Sequence, residues 1–149
     1  MDVQAIGHNC NLELYNVYIE KIEFLRTDLY SIKDQKLDFI LEPEIKISDD
    51  NKKCKCIMNA EIVNKENKSL DIKIIIVGIF GLLDFEKLKS DTRNKLVFKN
   101  TLAIIFPYLR SFITTITSQS GIKPIILPPV NISALVNSQS QNSNQENNS

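Results

Sequence analysis

Cysteine and histidine are the residues of this sequence whose types and spacing could bind a metal. Cys54 and Cys56 are separated by one residue, so on a β-strand both thiols would face the same side. A structural zinc site needs four ligands, and His8 and Cys10 could complete such a set. No second ligand pair at zinc spacing occurs, and free cysteines commonly pack as small apolar side chains. We therefore expect Cys54 and Cys56 to lie in the core, and we predict neither a metal nor another cofactor.

Motifs that support catalysis do not occur in the sequence. His8 is the one histidine, and 4 glycines leave little material for a loop that cradles phosphate. No nucleophile elbow and no paired catalytic carboxylates are present. A protein without such a constellation is predicted not to be an enzyme.

Two apolar segments occupy positions where connections are normally polar. One is Gly78-Ile79-Phe80-Gly81-Leu82-Leu83-Asp84-Phe85, and the other is Leu127-Pro128-Pro129-Val130. We expect both to be irregular. Exposed apolar surface on a soluble protein commonly marks an interaction site, so these segments could border a groove. The alternative is that they cover the core or a subunit contact.

Four segments that alternate apolar and polar residues predict the elements that would position such a groove. They are residues 12–26, 37–47, 53–62 and 70–77, and the first alternates less cleanly than the others. One-sided alternation is typical of antiparallel strands with one solvated face. Short links at residues 49–51 and 64–68 predict hairpins. We therefore expect the four strands to follow one another in a sequential antiparallel sheet.

A long amphipathic helix is predicted from about Asp91 to Ser118. Apolar residues recur there at helical spacing: Leu102, Ile105, Phe106, Leu109, Phe112, Ile113 and Ile116. Pro107 is expected to kink this helix, and Gly121 to end the helical region. Asn131 is a suitable N-cap for a short second helix.

Length and composition indicate a single domain and limit the class of partner. The chain has 149 residues, and its 18 basic residues balance 18 acidic ones, which argues against a nucleic-acid partner bound through bulk charge. No stretch resembles a signal peptide or an uninterrupted bilayer-spanning run, so we predict a cytoplasmic protein without membrane insertion. We expect a flexible segment at residues 1–11, one domain at residues 12–136, and a disordered Ser/Asn/Gln-rich tail at residues 137–149.

Ordered motifs along the chain resemble the bacterial export chaperone family SecB. The most specific ones lie in the predicted helix and after it: Phe106-Pro107-Tyr108-x-Arg110 and Pro129-Val130-Asn131-x2-Ala134-Leu135. Gly78-Ile79-Phe80, Val17-Tyr18 and Pro43-Glu44-Ile45-Lys46-Ile47 also match the family pattern. The resemblance extends from about Leu12 to Leu135.

The resemblance implies an α+β fold: a four-stranded antiparallel sheet with a long kinked helix and a short C-terminal helix on one face. It implies an ATP-independent holdase that binds unfolded or precursor polypeptides in long apolar grooves. It also implies a homotetramer, built as a dimer of dimers with the long helix at the contact. By position, the groove residues are Phe39, Leu41, Phe80, Leu82, Leu83, Phe85, Leu127 and Pro129. The implied contact residues are Phe106, Tyr108, Leu109, Arg110, Phe112 and Ile113.

One departure from the family pattern concerns the partner. In the family, acidic residues on the open sheet face dock the export motor SecA, whereas this chain has Lys21, Leu25 and Lys73 there. The departure argues against SecA as a partner. SecB-like proteins also include chaperones that protect an antitoxin. An export holdase, a chaperone of a dedicated client such as an antitoxin, and an adaptor that keeps only the fold are the three interpretations left open.

Overall fold

The computed structural model describes residues 11–33, 35–132 and 134. Within these residues the chain forms four β-strands, a short 3₁₀ turn at Phe85–Lys87 and one long helix. The strands are β1 (Asn11–Arg26), β2 (Asp38–Ile47), β3 (Lys53–Val63) and β4 (Leu70–Leu83), and the helix is α1 (Ser90–Ser118). The predicted α+β fold, an antiparallel sheet with a long helix on one face, is confirmed. The predicted C-terminal helix lies mostly outside the described residues, although Asn131 Oδ1 accepts a hydrogen bond from the Ala134 N–H at 3.1 Å, as an N-cap would.

The strand order is β1-β4-β3-β2, and all three pairings are antiparallel. The prediction of a sequential sheet is therefore wrong for β1, which pairs with β4 instead of β2. Short links hold β2, β3 and β4 in a meander, because a tight turn forces its two strands to be neighbours. Residues 27–37 between β1 and β2 are too many for a tight turn and leave β1 free to pair with the longer β4. As a result, β1 and β2 are the two edge strands.

Two irregularities explain the imperfect alternation of β1. The register with β4 shifts between Leu14 and Asn16 and again between Ile19 and Lys21. Each shift inserts an extra residue into one strand and resets which side chains face the core. In spite of the broken sequence pattern, Leu12, Leu14, Val17, Ile19 and Phe24 of β1 therefore all pack against the core.

β4 is longer than predicted, because the segment from Gly78 to Leu83 is strand and not an irregular connection. Phe80 and Leu82 continue the inward-facing series of the strand, and the Leu82 N–H donates to the Lys52 carbonyl at 2.7 Å. The strand ends at Asp84, whose left-handed backbone (φ 64°) turns the chain into the 3₁₀ turn. The apolar character of the segment thus reflects burial.

The core lies between α1 and one face of the sheet, which we call the helix face. α1 contributes buried Val97, Leu102, Ile105, Leu109 and Ile113. The central strands β3 and β4 contribute Cys54, Cys56, Met58, Ala60, Ile62, Leu70, Ile72, Ile74, Ile76, Phe80 and Leu82. α1 packs mainly over β1, β3 and β4. Edge strand β2 is therefore left with its helix face only partly covered.

α1 is also the one helix among the described residues with the length and apolar content of a membrane span. Core helices of soluble proteins meet the same criteria, and the buried stripe of α1 packs against the sheet. The prediction that the chain does not insert into a membrane stays a prediction.

Gly78 allows α1 to approach the sheet closely. A Cβ added at Gly78 would lie 2.9 Å from Ile105 Cγ1, and Ile105 is fully buried. Gly81, in the same strand but on the opposite face, would meet the ring of Tyr15, with Cζ at 2.7 Å. Tyr15 is 53% exposed and can move aside.

We expect Gly78→Ala to destabilise the protein and Gly81→Ala to be nearly neutral. Overpacking at Gly78 pushes Ile105 away from the sheet and costs about 1–3 kcal/mol, whereas the Tyr15 ring can swing into solvent. Urea unfolding followed by circular dichroism measures both variants. Equal unfolding midpoints for the two would contradict this account of how α1 is seated.

Candidate functional site

The helix face of β2 carries a row of apolar side chains that α1 does not cover. Phe39, Leu41, Ile45 and Ile47 are half-buried and pack against the edge of the core. They project to one side because alternate residues of a strand share a face. Because β2 is an edge strand, its outer backbone groups have no partner strand among the described residues. The row therefore forms one wall of an open apolar groove, which we call the β2 groove.

One end of the β2 groove lies between the end of β2 and the first turns of α1. A cavity of about 690 Å³ opens there, lined by Ile45, Ile47 and Phe98. Glu44, Asp49 and Arg93 also line it. Two of the three charges are acidic, so this end of the groove has an apolar floor and a mainly acidic rim.

The other end of the β2 groove is bordered by the segment that follows α1. Residues Ile122, Pro124 and Ile125, with Leu37 and Tyr30, line a cavity of about 300 Å³. Its lining also includes Lys33 and Lys123, so its rim is basic.

Hydrogen bonds to α1 hold this bordering segment in place. Thr114 Oγ1 donates to the Ile125 carbonyl at 2.8 Å, and the Ile125 N–H donates to Thr117 Oγ1 at 2.9 Å. The Lys123 N–H also donates to the Tyr30 hydroxyl at 3.1 Å. Because these hydrogen bonds hold both the N–H and the carbonyl of Ile125, the segment borders the groove in a fixed position before any ligand binds.

An extended polypeptide is the ligand that this arrangement can bind. Half-buried apolar side chains bind apolar groups without reading a sequence. An edge strand with free backbone groups can also pair with a chain laid beside it. The two preformed cavities would accept side chains at either end.

The structure divides the predicted groove residues into two groups. Phe39 and Leu41 line the β2 groove, and Leu83 and Pro129 are exposed elsewhere. The other four predicted groove residues are buried inside the subunit: Phe80, Leu82, Phe85 and Leu127. All four belong to the core of this chain. Phe80 and Leu82 lie within β4, which is longer than predicted, and Phe85 and Leu127 are buried in the segments that follow β4 and α1.

The predicted contact residues on α1 divide in the same way. Phe106, Leu109 and Ile113 are buried against the sheet of the same subunit. Phe112 is half-buried, and Tyr108 and Arg110 are exposed on opposite flanks of α1, since two helical positions apart do not share a face. A shallow cavity of about 370 Å³ lies beside Pro107 and Arg110 on the outer side of α1. Only the exposed members are available for a contact without rearrangement of the core.

The two strand cysteines are buried in the core as expected. Desolvation by burial raises the pKa of Cys54 to about 12 and that of Cys56 to about 11. Both thiols therefore stay protonated at neutral pH, which disfavours metal binding and nucleophilic chemistry. Among the described residues no cluster could hold a metal ion, and His8 and Cys10 lie outside them.

The sheet face opposite α1, which we call the open face, carries the three residues at which the chain departs from the family pattern. Lys21 contacts Glu23 at 2.9 Å, and Lys73 contacts Glu61 at 3.7 Å. Leu25 is 56% exposed beside them. Asp71 contacts Lys73 as well, at 4.0 Å, so at this end of the open face the two lysines stand among a larger number of carboxylates and are paired with them.

Sequence reasoning missed most of the β2 groove: Ile45, Ile47, Phe98 and Ile125. These residues become neighbours only because β2 is an edge strand. One signal of that position was present, since Pro43 lies within β2 and proline in a sheet is confined largely to edge strands.

Comparison with known proteins gives a family-model match over most of the chain. The model of the SecB family, described as preprotein translocase subunit SecB, matches residues 12–143. This match confirms the predicted resemblance.

Curated relatives of the chain include both SecB proteins and an uncharacterised protein. The uncharacterised protein of Methanocaldococcus jannaschii is 30% identical over 131 residues, which cover 85% of this chain and 83% of that protein. The protein-export protein SecB of Orientia tsutsugamushi is 26% identical over 137 residues, which cover 87% and 82%. That of a Wolbachia species is 33% identical over 72 residues, but the match covers only 47% of this chain and 43% of that protein.

Among solved structures, the fold is similar to that of a SecB-like chaperone from Mycobacterium tuberculosis. That protein was solved in complex with a peptide from the HigA1 antitoxin. The TM-score is 0.67 at 9% identity, and the match covers 80% of this chain and 90% of that one. At this identity the likeness concerns the fold alone.

Proposed function

The chain belongs to the SecB family, and we propose that it is an ATP-independent holdase chaperone that binds non-native polypeptides in the β2 groove. Family membership supports the chaperone role. The observation that carries the holdase mechanism is the row Phe39, Leu41, Ile45 and Ile47, half-buried on an edge strand between two preformed cavities.

The chemistry of the β2 groove suits unfolded clients. Non-native chains present scattered apolar and aromatic side chains, and their burial supplies about 25 cal/mol per Å². Part of that gain is offset by the entropy of ordering the client. Such binding is broad in sequence and moderate in strength, which allows release to the next partner without a nucleotide.

A dedicated client is the more specific form of this proposal. The structurally similar M. tuberculosis chaperone binds a peptide from an antitoxin. On the open face of this chain, Lys21 and Lys73 stand at positions where the SecB family has acidic residues for docking on SecA, and each lysine is paired with a carboxylate that would otherwise be free. We therefore favour a cytoplasmic chaperone of one or few clients over an export chaperone that delivers precursors to SecA.

Suppression of aggregation tests the holdase proposal. The purified protein is mixed with a slowly folding client, such as a denatured maltose-binding protein variant, and light scattering is followed with and without ATP. We expect a stoichiometric amount of the protein to suppress aggregation of the client, and to do so equally with and without ATP. Unchanged aggregation would favour the adaptor that keeps the fold without client binding.

We also propose a homo-oligomer, a dimer of dimers, with the outer side of α1 at one contact. Arg110 is exposed there beside the shallow cavity next to Pro107, and Tyr108 is 48% exposed on the other flank of α1. Exposed tyrosines and arginines are enriched among the residues that contribute most to protein interfaces.

Charge reversal at this contact is expected to separate the subunits. We expect Arg110→Glu combined with Tyr108→Glu to halve the molar mass measured by light scattering after size-exclusion chromatography. Lys99→Glu, at another exposed position of α1, is the control and should leave the mass unchanged. A wild-type protein that is monomeric at micromolar concentration would overturn the assembly proposal.

A further inference from the structure

A group of apolar and basic side chains occupies the open face at the end away from Lys21, Leu25 and Lys73. We call it the lysine–tyrosine patch; it consists of Tyr15, Tyr18, Lys53, Lys55, Ile57 and Ile79. The register places these residues side by side: Lys55 is opposite Ile79, Lys53 is opposite Gly81, and Ile57 and Tyr18 flank Val77. None of its members contributes to the core or to the β2 groove.

The apolar part of the patch is unusual for a solvated sheet face. Antiparallel strands with one wet face normally present polar residues to water. Here Val77 is fully buried although it faces the open side, Ile57 and Ile79 are half-buried, and Tyr18 is 36% exposed. The Tyr15 ring lies over Gly81 and is 53% exposed. An aromatic and aliphatic surface of this kind typically marks an interaction site.

The basic part of the patch indicates the charge of the partner. Lys53 and Lys55 form no ion pair with any described residue, and Lys46 stands directly across from Lys55. Like charges in that position destabilise a sheet. By contrast, the lysines at the other end of the face, Lys21 and Lys73, are paired with carboxylates.

Acidic residues near the patch neutralise these two lysines only in part. Asp50 interacts with the charge of Lys53, but its carboxylate already accepts hydrogen bonds from the Ser48 hydroxyl and the Lys52 N–H. Glu44 contacts Lys46 at 3.7 Å and is thereby paired already. Glu13 is on β1, two strands away from Lys53 across Gly81. The unpaired ammonium groups therefore face outward next to the tyrosines and isoleucines.

From this arrangement we propose that the lysine–tyrosine patch is a second docking surface, which binds an acidic amphipathic segment of a partner protein. Carboxylates of the segment would pair with Lys53 and Lys55, and its apolar side chains would cover Ile57, Ile79 and the two tyrosine rings. Complementary charge steers encounter and rejects basic partners, while the apolar contacts retain the segment. The surface is separate from the β2 groove, so a client and this partner can bind together.

A fluorescent peptide of twelve residues, in which glutamates alternate with leucines and tyrosines, is the probe. Fluorescence anisotropy measures its binding to the full-length protein, and its counterpart with lysines in place of the glutamates is the second probe. We expect the acidic peptide to bind more tightly than the lysine-containing peptide, which only the β2 groove can hold, and the affinity of the acidic peptide should fall as salt rises. Lys53→Glu combined with Lys55→Glu should weaken it by at least about tenfold.

Two control variants separate this surface from the alternatives. Lys33→Glu with Lys123→Glu makes the same change in net charge at the rim of the β2 groove, and it should leave binding of the acidic peptide unchanged. Replacing Phe39, Leu41 and Ile45 by threonine removes the β2 groove. This variant should lose binding of the lysine-containing peptide and keep the tighter, salt-sensitive binding of the acidic peptide.

Several results would overturn the proposal. One is an equal loss of affinity for the acidic peptide in either control variant, and another is equal binding of the lysine-containing peptide. Competition by an RNA oligonucleotide as strong as that by unlabelled acidic peptide would indicate a general polyanion surface instead. A lower molar mass of the Lys53→Glu, Lys55→Glu variant would show that a second copy of the chain covers the patch.

Discussion

Replacing Phe39, Leu41 and Ile45 together by threonine is expected to abolish the suppression of client aggregation while the protein stays folded. The three side chains are half-buried, so each can give a client about half of the 1.5–3 kcal/mol of a fully buried apolar side chain. The combined loss is about 3 kcal/mol, or roughly a hundredfold in affinity. Threonine keeps the strand propensity of β2. Light scattering of the aggregating client measures the effect, and circular dichroism confirms the fold.

The same strand provides the matched control for this variant. Ile40, Glu42 and Glu44 alternate with the groove residues and face the other side of the sheet. Their replacement by threonine changes β2 to a similar extent but should leave aggregation suppression intact. Equal loss of activity in both variants would show that β2 acts through its stability and not through contacts with clients.

A photo-crosslinking amino acid at position 39 tests the contact without removing the apolar row. Client should be crosslinked from position 39 and not from position 40 on the opposite face. This experiment decides the assignment even if the triple threonine variant fails to fold. Crosslinking from position 40 alone would place the client on the open face.

The secondary structure of this chain is largely encoded in local patterns. Alternation in β2, β3 and β4 and the helical spacing from Leu102 to Ile116 predict elements whose bounds agree closely with the structure. These patterns are visible because each element buries one face, and burial leaves its period in the sequence. The exception is the end of β4. There Ile76, Gly78, Phe80 and Leu82 keep the period of two, but Gly78 and Gly81 make this part of the sequence look like the end of the strand.

Strand order and the location of the groove are not encoded locally. The connection of residues 27–37 allows β1 to lie beside either β2 or β4. Pro43 in β2 is a weak local signal for an edge position of β2, but the connection itself does not decide between the two arrangements. Whether Phe39 is covered then depends on the path of α1, which Gly78 and Ile105 set from distant parts of the chain. Side chains such as Phe98 and Ile125 acquire a role only through this tertiary placement.

Phe85→Ser is expected to destabilise the folded protein by about 3–5 kcal/mol, the range for removal of a large buried aromatic side chain. Phe85 is completely buried in the 3₁₀ turn after β4 and belongs to the core cluster. Leu83, two residues earlier, is 48% exposed, and Leu83→Ser should change the free energy of unfolding by less than about 0.5 kcal/mol. Urea unfolding of the two variants measures the difference.

The pair of variants decides between two roles for the apolar segment 78–85. If the segment were a client-binding loop, Phe85→Ser would leave the unfolding midpoint unchanged and would weaken client binding. If the segment is core, the midpoint falls strongly and any loss of binding follows the loss of folded protein. Leu83→Ser addresses the exposed part of the segment by itself: weaker client binding at unchanged stability would extend the client surface from the β2 groove to the end of β4. Because Phe80 and Leu82 belong to the same core cluster as Phe85, we expect the core outcome for Phe85. Leu83 is the most exposed apolar residue of the segment and can touch a client.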